Sequence, residues 1–358
     1  MSETRIKIIA EAGVNHNGSL DIALQLIEVA AEAGADAVKF QTFNASCLAS
    51  AAANLVDYQK DNQVVATNQL EMLKSLEISH DSHLKLLECC RNNKIEFMST
   101  PFDLESAAFL VRNLNLPQIK ISSGEITNAP LLLQIANDGK PVILSTGMSD
   151  LAEIETALGV LAFGYTRIKE KPGPDQFGKA YLSTEGKKSL QDKVVLMHCT
   201  SLYPTPCEHI NLRAMTTLRD KFRLPVGLSD HSRGTAVSVA AAALGAYVIE
   251  KHFTLDNSMP GPDHKASLEP LELIQLVKQV RCVESAMGSG TKIATERELS
   301  TRALTRKSLV AACRIERGER FTTENLTVKR PGNGISPNEY WNWLGRTAER
   351  DYKPDELL

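Results

Sequence analysis

The feature that most constrains this chain is an alternation. Short apolar runs that end in polar residues are each followed by a stretch of helical periodicity, and the pattern recurs through most of the 358 residues. Its clearest instance is Pro225–His264, which reads PVGLSDHSRGTAVSVAAAALGAYVIEKHFTLDNSMPGPDH. Val226–Leu228 and Tyr247–Ile249 have strand character, and Gly234–Leu244 between them is long enough for one helix. Strand, helix, strand makes a βαβ unit whose strands are parallel neighbours. Ser229, Asp230 and His231 follow the first strand at once, and Glu250, Lys251 and His252 follow the second. Neighbouring parallel strands end side by side, so His231 and His252 should meet. Two imidazoles there, with carboxylates nearby, suggest a divalent metal site. The plainer alternative is that each ring only hydrogen-bonds at the rim.

The same unit recurs earlier in the chain. Strands are expected at Ile6–Ala10, Ala37–Phe43, Ile95–Phe102, Gln118–Glu125, Pro141–Gly147 and Val194–Tyr203. Helices are expected after Ser19, with Ala23, Leu26, Ile27 and Ala30 on one face, and at Asp81–Asn92, Leu104–Leu114, Ala129–Asp138, Leu151–Phe163, Asn211–Phe222 and Glu269–Met287. Residues 44–80 form a long polar excursion, and 164–192 an insertion rich in Lys, Gly and Pro. Eight strand–helix units with apolar strands predict a closed (β/α)8 TIM barrel over residues 1–288. An open doubly wound sheet is the runner-up. It is disfavoured because Gly13–Gly18 lacks the spacing of a dinucleotide loop.

After Gly288 the composition changes. Residues 289–305 are polar and read as a linker, and 306–358 as a small β-rich module. Within it Gly318–Leu326 (GERFTTENL) weakly echoes Tyr352–Leu357 (YKPDEL). A formal net charge of −3 without a long basic block argues against nucleic acid as the partner. The N-terminus has no signal pattern and no apolar stretch is long enough to span a bilayer, so the seven cysteines are read as reduced thiols of a cytoplasmic protein. Cys199 is read as core rather than nucleophile.

In such a barrel the chemistry sits at the C-terminal strand ends. Those ends offer Glu11, Asn15, His16, Lys39, Gln41, Ser99, Thr100, Lys120, Ser123, Glu125, Ser145, Tyr203, Ser229, His231, Glu250 and His252. Two lysines aimed at the mouth need anionic partners, because unpaired buried charge is costly. Glu11, Glu125 or Glu250 could serve. So could a bound phosphorylated or carboxylated substrate, with the hydroxyls of Thr100, Ser123, Ser145 and Ser229 as donors.

The motifs IIAEAGVNHNG (8–18), DAVKFQTF (36–43), STPFD (99–103), KISSGE (120–125), ILSTGM (143–148), HCTSLYPTP (198–206), GLSDHS (227–232), IEKHFT (249–254), PGPDH (260–264) and VKRPGNG (328–334) together resemble the sialic acid synthase family. The resemblance covers nearly the whole chain. It implies condensation of phosphoenolpyruvate with an N-acetylmannosamine-type sugar, giving a nine-carbon sialic acid and phosphate. It also implies that residues 306–358 are an antifreeze-like SAF domain. By that resemblance Lys39, Thr100, Lys120, Ser123, Ser145 and Ser229 match positions that hold the phosphate and carboxylate. Glu11, Gln41, Tyr203 and Asp263 match positions facing the sugar. His231 and His252 match metal ligands, usually for Mn2+, with Mg2+ or Co2+ as alternatives. Glu125 lies beside the enolpyruvate, as the candidate for proton handling, with Glu250 the alternative. Arg330 matches an arginine that reaches into the partner's barrel, which implies a domain-swapped homodimer.

The sequence departs from the family pattern at Ser201, where some members have Asn, and in the longer 164–192 insertion. The acceptor therefore stays open between N-acetylmannosamine and the 2,4-diacetamido-2,4,6-trideoxymannose of legionaminic acid synthases. Two other classes compete. A metal-dependent barrel aldolase would need the histidines and a lysine but not the phosphate-binding hydroxyls. An ice-binding tail would need a flat array of small side chains, which the Lys329–Gly334 loop does not offer.

Overall fold

The computed structural model describes residues 5–55, 66, 68–166 and 169–358. Parts of two expected segments, 56–65 and 67 of the excursion and 167–168 of the insertion, lie outside the described residues. The chain divides into two compact units, Met1–Gly288 and Ser289–Leu358.

The first unit is a ring of eight parallel strands, β1 (Lys7–Gly13), β2 (Ala37–Thr42), β3 (Glu96–Pro101), β4 (Ile119–Ile121), β5 (Val142–Ser145), β6 (Val194–Cys199), β7 (Val226–Asp230) and β8 (Val248–His252). Their order is β3-β2-β1-β8-β7-β6-β5-β4. Every neighbouring pair forms a parallel ladder except β3 and β4, so the barrel is nearly closed, with one seam. Helices follow the strands and cover them. Leu20–Glu32 is capped by Ser19, whose side chain accepts from Ile22 N, and it buries Ala23, Leu26, Ile27 and Ala30. Apolar side chains on the outer strand faces pack with these helices into the main core.

The inner faces build a second, separate core. Ile9, Ala37, Met98, Ile143, Val195, Met197 and Val248 fill the lower barrel. At the N-terminal end Lys7 closes it with an ion pair to Glu96 at 2.7 Å. Gly227 belongs to this layer for a steric reason. A Cβ there would stand 2.2 Å from the carbonyl oxygen of Val248. Only glycine permits so close an approach.

Several boundaries differ from expectation. β7 and β8 run on through Ser229–Asp230 and Glu250–His252, and β1 through Glu11 to Gly13, because the barrel interior itself becomes polar there. The expected strand Gln118–Glu125 is only Ile119–Ile121, followed by a 3-10 turn at Ser123–Glu125 with Ser122 as its cap. β6 stops at Cys199 rather than Tyr203, since the chain must turn through the 200–206 loop. Leu104–Ala108 is α-helical but continues as a π-turn over Phe109–Asn113. Among the described residues the excursion holds the helices Ala45–Leu48 and Gln69–Leu76, and the insertion Pro174–Leu182 and Thr184–Lys193. Pro174 sits in the first turn, and Ser183 caps the second helix through Gly186 N.

In the second unit the polar stretch expected as a linker contains the exposed helix Glu296–Thr305. A reciprocal pair of bonds between Thr295 and Glu298 starts it. Strands β9 (Ser308–Ala311) and β10 (Leu326–Lys329) pair antiparallel over a small core that includes Leu309, Ile315, Phe321 and Tyr352. The internal echo has a structural counterpart. Both segments bring a leucine against β9, Leu326 opposite Ala311 and Leu357 opposite Val310. Among the described residues no helix is long and apolar enough to cross a membrane.

Candidate active site

Above the apolar plug, the period of two that governs strand side chains continues upward but changes chemistry. Ile9 gives way to Glu11, Ala37 to Lys39 and Gln41, Met98 to Thr100, Ile143 to Ser145, Val195 and Met197 to Cys199, Gly227 to Ser229, and Val248 to Glu250 and His252. These residues, with Lys120, Ser123, Glu125, Tyr203, His231 and Asp263, line one pocket of about 440 Å3 at the C-terminal mouth. The intervening residues face outward. Asp230 and Lys251 are register partners that form a fully buried ion pair at 3.0 Å behind the strands. Ser232 and Ser238 donate to the same carboxylate at 2.6 Å each, so this pair is a satisfied structural network.

The floor of the pocket is a network of four buried charges. Lys39 Nζ lies 2.6 Å from Glu11 Oε2 and 3.6 Å from Glu250 Oε2, and Lys120 Nζ donates to Glu250 Oε1 at 3.2 Å. Of the three carboxylates that the sequence offered as partners, Glu11 and Glu250 serve. Glu125 instead accepts from Asn128 at 2.7 Å. Register explains the pairing, because Glu11 and Lys39 are direct partners across β1 and β2. Burial pushes Glu11 up to about 7 against the pull of Lys39. Burial would raise Glu250 too, but Lys120 and Lys39 outweigh it and hold that carboxylate ionised. Lys39 stays charged because its two carboxylates outweigh desolvation. Burial lowers Lys120, which has one close carboxylate and a neighbouring cation.

Hydroxyls surround this floor. Thr100 accepts from Lys39 at 3.2 Å, Ser229 donates to Glu250 at 3.0 Å, and Ser123 accepts from Gly147 N at 3.0 Å. Ser145 Oγ is buried without a hydrogen-bond partner. A buried hydroxyl in that condition carries an energetic penalty unless something else occupies the space before it. Gly147 is confined in turn, since a Cβ there would stand 2.4 Å from Ser201 Oγ and 2.8 Å from Ser123 Oγ.

The two histidines meet as the βαβ unit requires, with ring centroids 5.4 Å apart. Tyr203 packs over His231 at 4.1 Å. His231 Nδ1 lies 2.8 Å from the Thr200 carbonyl, which fixes the tautomer with Nδ1 as donor and leaves Nε2 with its lone pair. His252 is driven well below its usual range by burial and by His231, so it is neutral, and its Nδ1 is buried without a hydrogen bond. Asp263 Oδ2 is 3.7 Å from that nitrogen, and burial raises this carboxyl to about 6. Among the described residues no group of three or more His, Cys, Asp or Glu is disposed to hold a metal. Two imidazoles are thus the donors this wall offers a divalent ion; burial would lower His231 as well, but Cys199, the Thr200 carbonyl and Glu250 outweigh it and raise its pKa above the ordinary value.

Cys199, read from sequence as core, is buried but faces the pocket. Burial would raise its thiol; His231, with Sγ 3.8 Å from Nδ1, lowers it to about 7. Met148 and Ser122, which the motifs ILSTGM and KISSGE contain without an assigned role, also line the pocket. Arg330 lies in the second unit, exposed.

With this geometry in hand, comparison with known proteins is decisive. Residues 26–292 match the NeuB family and residues 306–358 the SAF domain. The chain belongs to the NeuB family. It is 48% identical over 98% of both chains to the N,N'-diacetyllegionaminic acid synthase of Campylobacter jejuni. It is 46% identical to that of Legionella pneumophila, over 94% of this chain and 89% of the other. The crystal structure of a sialic acid synthetase from Leptospira borgpetersenii, in complex with citrate, superposes with a TM-score of 0.67 at 32% identity, covering 83% of this chain and 90% of that one. This NeuB chain is therefore an enzyme of the sialic and legionaminic acid synthase type, and its near-closed barrel with an appended SAF unit is the family's architecture.

Proposed function

We propose that this enzyme condenses phosphoenolpyruvate with 2,4-diacetamido-2,4,6-trideoxymannose, forming N,N'-diacetyllegionaminic acid and phosphate. The reading of the donor rests on the buried Lys39–Lys120 pair bordered by Ser145, whose unpartnered hydroxyl lines the same pocket. The choice of acceptor rests on the relatives. Two that are nearly half identical over 94% or more of the chain carry the legionaminic name, which favours this sugar over N-acetylmannosamine.

In this reading Lys39 and Lys120 bind the phosphate and carboxylate, with Thr100, Ser123, Ser145 and Ser229 donating to their oxygens. Glu250, held ionised between the lysines, positions both ammonium groups, and Glu11 fixes Lys39 from the other side. Gln41, Tyr203 and Asp263 face the sugar. A divalent cation such as Mn2+, bound at His231 and His252, supplies Lewis-acid chemistry for an aldehyde oxygen. C3 of the enolpyruvate bonds to the aldehyde carbon, and water adds at C2. The C2–O bond to phosphate then breaks, leaving the 2-keto acid. Glu125 takes the proton from the attacking water; it is half-buried, and burial raises its pKa. Arg330, exposed in the second unit, completes the pocket of a partner subunit in a homodimer, as the family resemblance implies.

Phosphate release from phosphoenolpyruvate, measured with each sugar and with a chelator arm, tests this. Chelator-sensitive release that prefers the diacetamido sugar is expected. Preference for N-acetylmannosamine would make the enzyme an N-acetylneuraminate synthase. Release with neither would return the barrel to the aldolase reading.

A further inference from the structure

The pocket has two chemically different walls. The imidazoles stand just past β7 and at the end of β8, and the charged floor runs from there across β1, β2 and β4. Above β1, β2 and β3, the loops and the excursion contribute Val14, Leu48, Met72, Leu73, Leu76 and Phe102. These form an apolar cluster of their own, separate from both barrel cores. Among the described residues lining the pocket, this wall adds one polar side chain, Gln69, and no charged one. Such a surface cannot solvate a phosphate, and away from Gln69 it leaves a hydroxyl without a partner.

The geometry points to a specificity wall: Leu48, Leu73 and their neighbours receive the C6 methyl of a 6-deoxy acceptor sugar. This rests on the function proposed above. With the aldehyde carbon at the imidazoles, the far end of the open chain is C6. Strand order β8-β1-β2-β3 carries an extended sugar from the imidazoles toward the apolar wall. Of the acceptor's substituents, both acetamido groups need polar partners, whereas the C6 methyl is apolar throughout. The polar excursion noted in the sequence thus carries, on its inner side, the contact that sets acceptor choice.

The test uses two sugars that differ only at C6, 2,4-diacetamido-2,4,6-trideoxymannose and 2,4-diacetamido-2,4-dideoxymannose. The full-length enzyme should favour the 6-deoxy sugar about 10-fold or more in kcat/KM, the range an apolar pocket achieves. Leu73→Gln should cut that ratio about 10-fold while the KM for phosphoenolpyruvate stays unchanged. Leu48→Gln, at a second half-buried position, should do the same, with thermal melts checking that both variants fold. A wild-type ratio near one, or a ratio that neither variant alters, would overturn the wall alone. No phosphate from either sugar would overturn the function on which it rests.

Discussion

The lower and upper layers of this barrel interior are built from the same strands at the same spacing, yet they do opposite work. Ile9, Ala37, Met98, Ile143 and Val248 occupy the lower layer and pack as an isolated apolar plug. Two residues further along the same strands stand Glu11, Lys39, Thr100, Ser145 and Glu250, which bury charge and hydroxyls in the same low-dielectric cylinder. The plug gains from burial, about 25 cal/mol per Å2 of apolar surface. The upper layer is penalised by it, and persists because its charges are paired and its remaining donors face a space a ligand can fill. Stability and chemistry are thus separated by one turn of the pleat, about 7 Å at 3.3 Å per residue.

The separation can be broken from above first. Lys120→Met should lower kcat/KM about 1000-fold, as loss of a charged transition-state donor does, while the melting temperature falls only slightly, because Lys39, 3.6 Å away, still pairs the Glu250 carboxylate that Lys120 leaves. A large fall in melting temperature would mean that the network also carries stability. From below, Ile143→Ala should cost about 3 kcal/mol in urea unfolding and leave kcat within about 2-fold. Loss of activity without loss of stability would show that the plug positions the upper layer.

Acid offers a third probe. His16 is buried beside the barrel, and burial, with His83 and His264 adding to it, lowers its pKa from 6.5 to about 4. The unfolded chain therefore binds a proton there that the folded chain does not. Stability at this group is complete above pH 6.5 and is lost as pH falls toward 4, by about 3 kcal/mol at the limit. Because His264 is lowered alike and Glu11, raised to about 7, acts with the opposite sign, the readout is the difference in urea midpoint between wild type and His16→Gln, which should fall from pH 7 to pH 5. The smallest effect sharpens the comparison most. Ser145→Ala should raise the KM for phosphoenolpyruvate about 10-fold and leave stability equal or slightly higher, because the hydroxyl it removes has no partner.

The alternation that predicts eight units is legible because parallel strands buried on both faces read as continuous apolar runs. The ends of those strands are not. Ser229–Asp230 and Glu250–His252 look like loop, yet they are strand, since the polar interior reverses the usual sign of burial. The meeting of His231 and His252 follows from strand adjacency alone. The choice of Glu11 and Glu250 over Glu125 does not, for it depends on register. Cys199 was hidden by its apolar neighbours, although stepping by two from Val195 and Met197 would have turned it into the pocket. The insertion's helices were masked by polar composition, despite the signals of Pro174 and Ser183. The sidedness of the excursion, with Leu73 and Leu76 turned inward, appears only once the helix is placed.

The seam between β3 and β4 has a further consequence. Topologically the barrel is an open eight-stranded sheet rolled until its two edges touch, and Thr100 stands on one edge and Lys120 on the other. An anion held by both would act as a stitch across the one join that backbone bonds leave open. Its binding energy would then appear as slower amide exchange along those two strands. The substrate would in that sense be the last rung of the barrel that binds it.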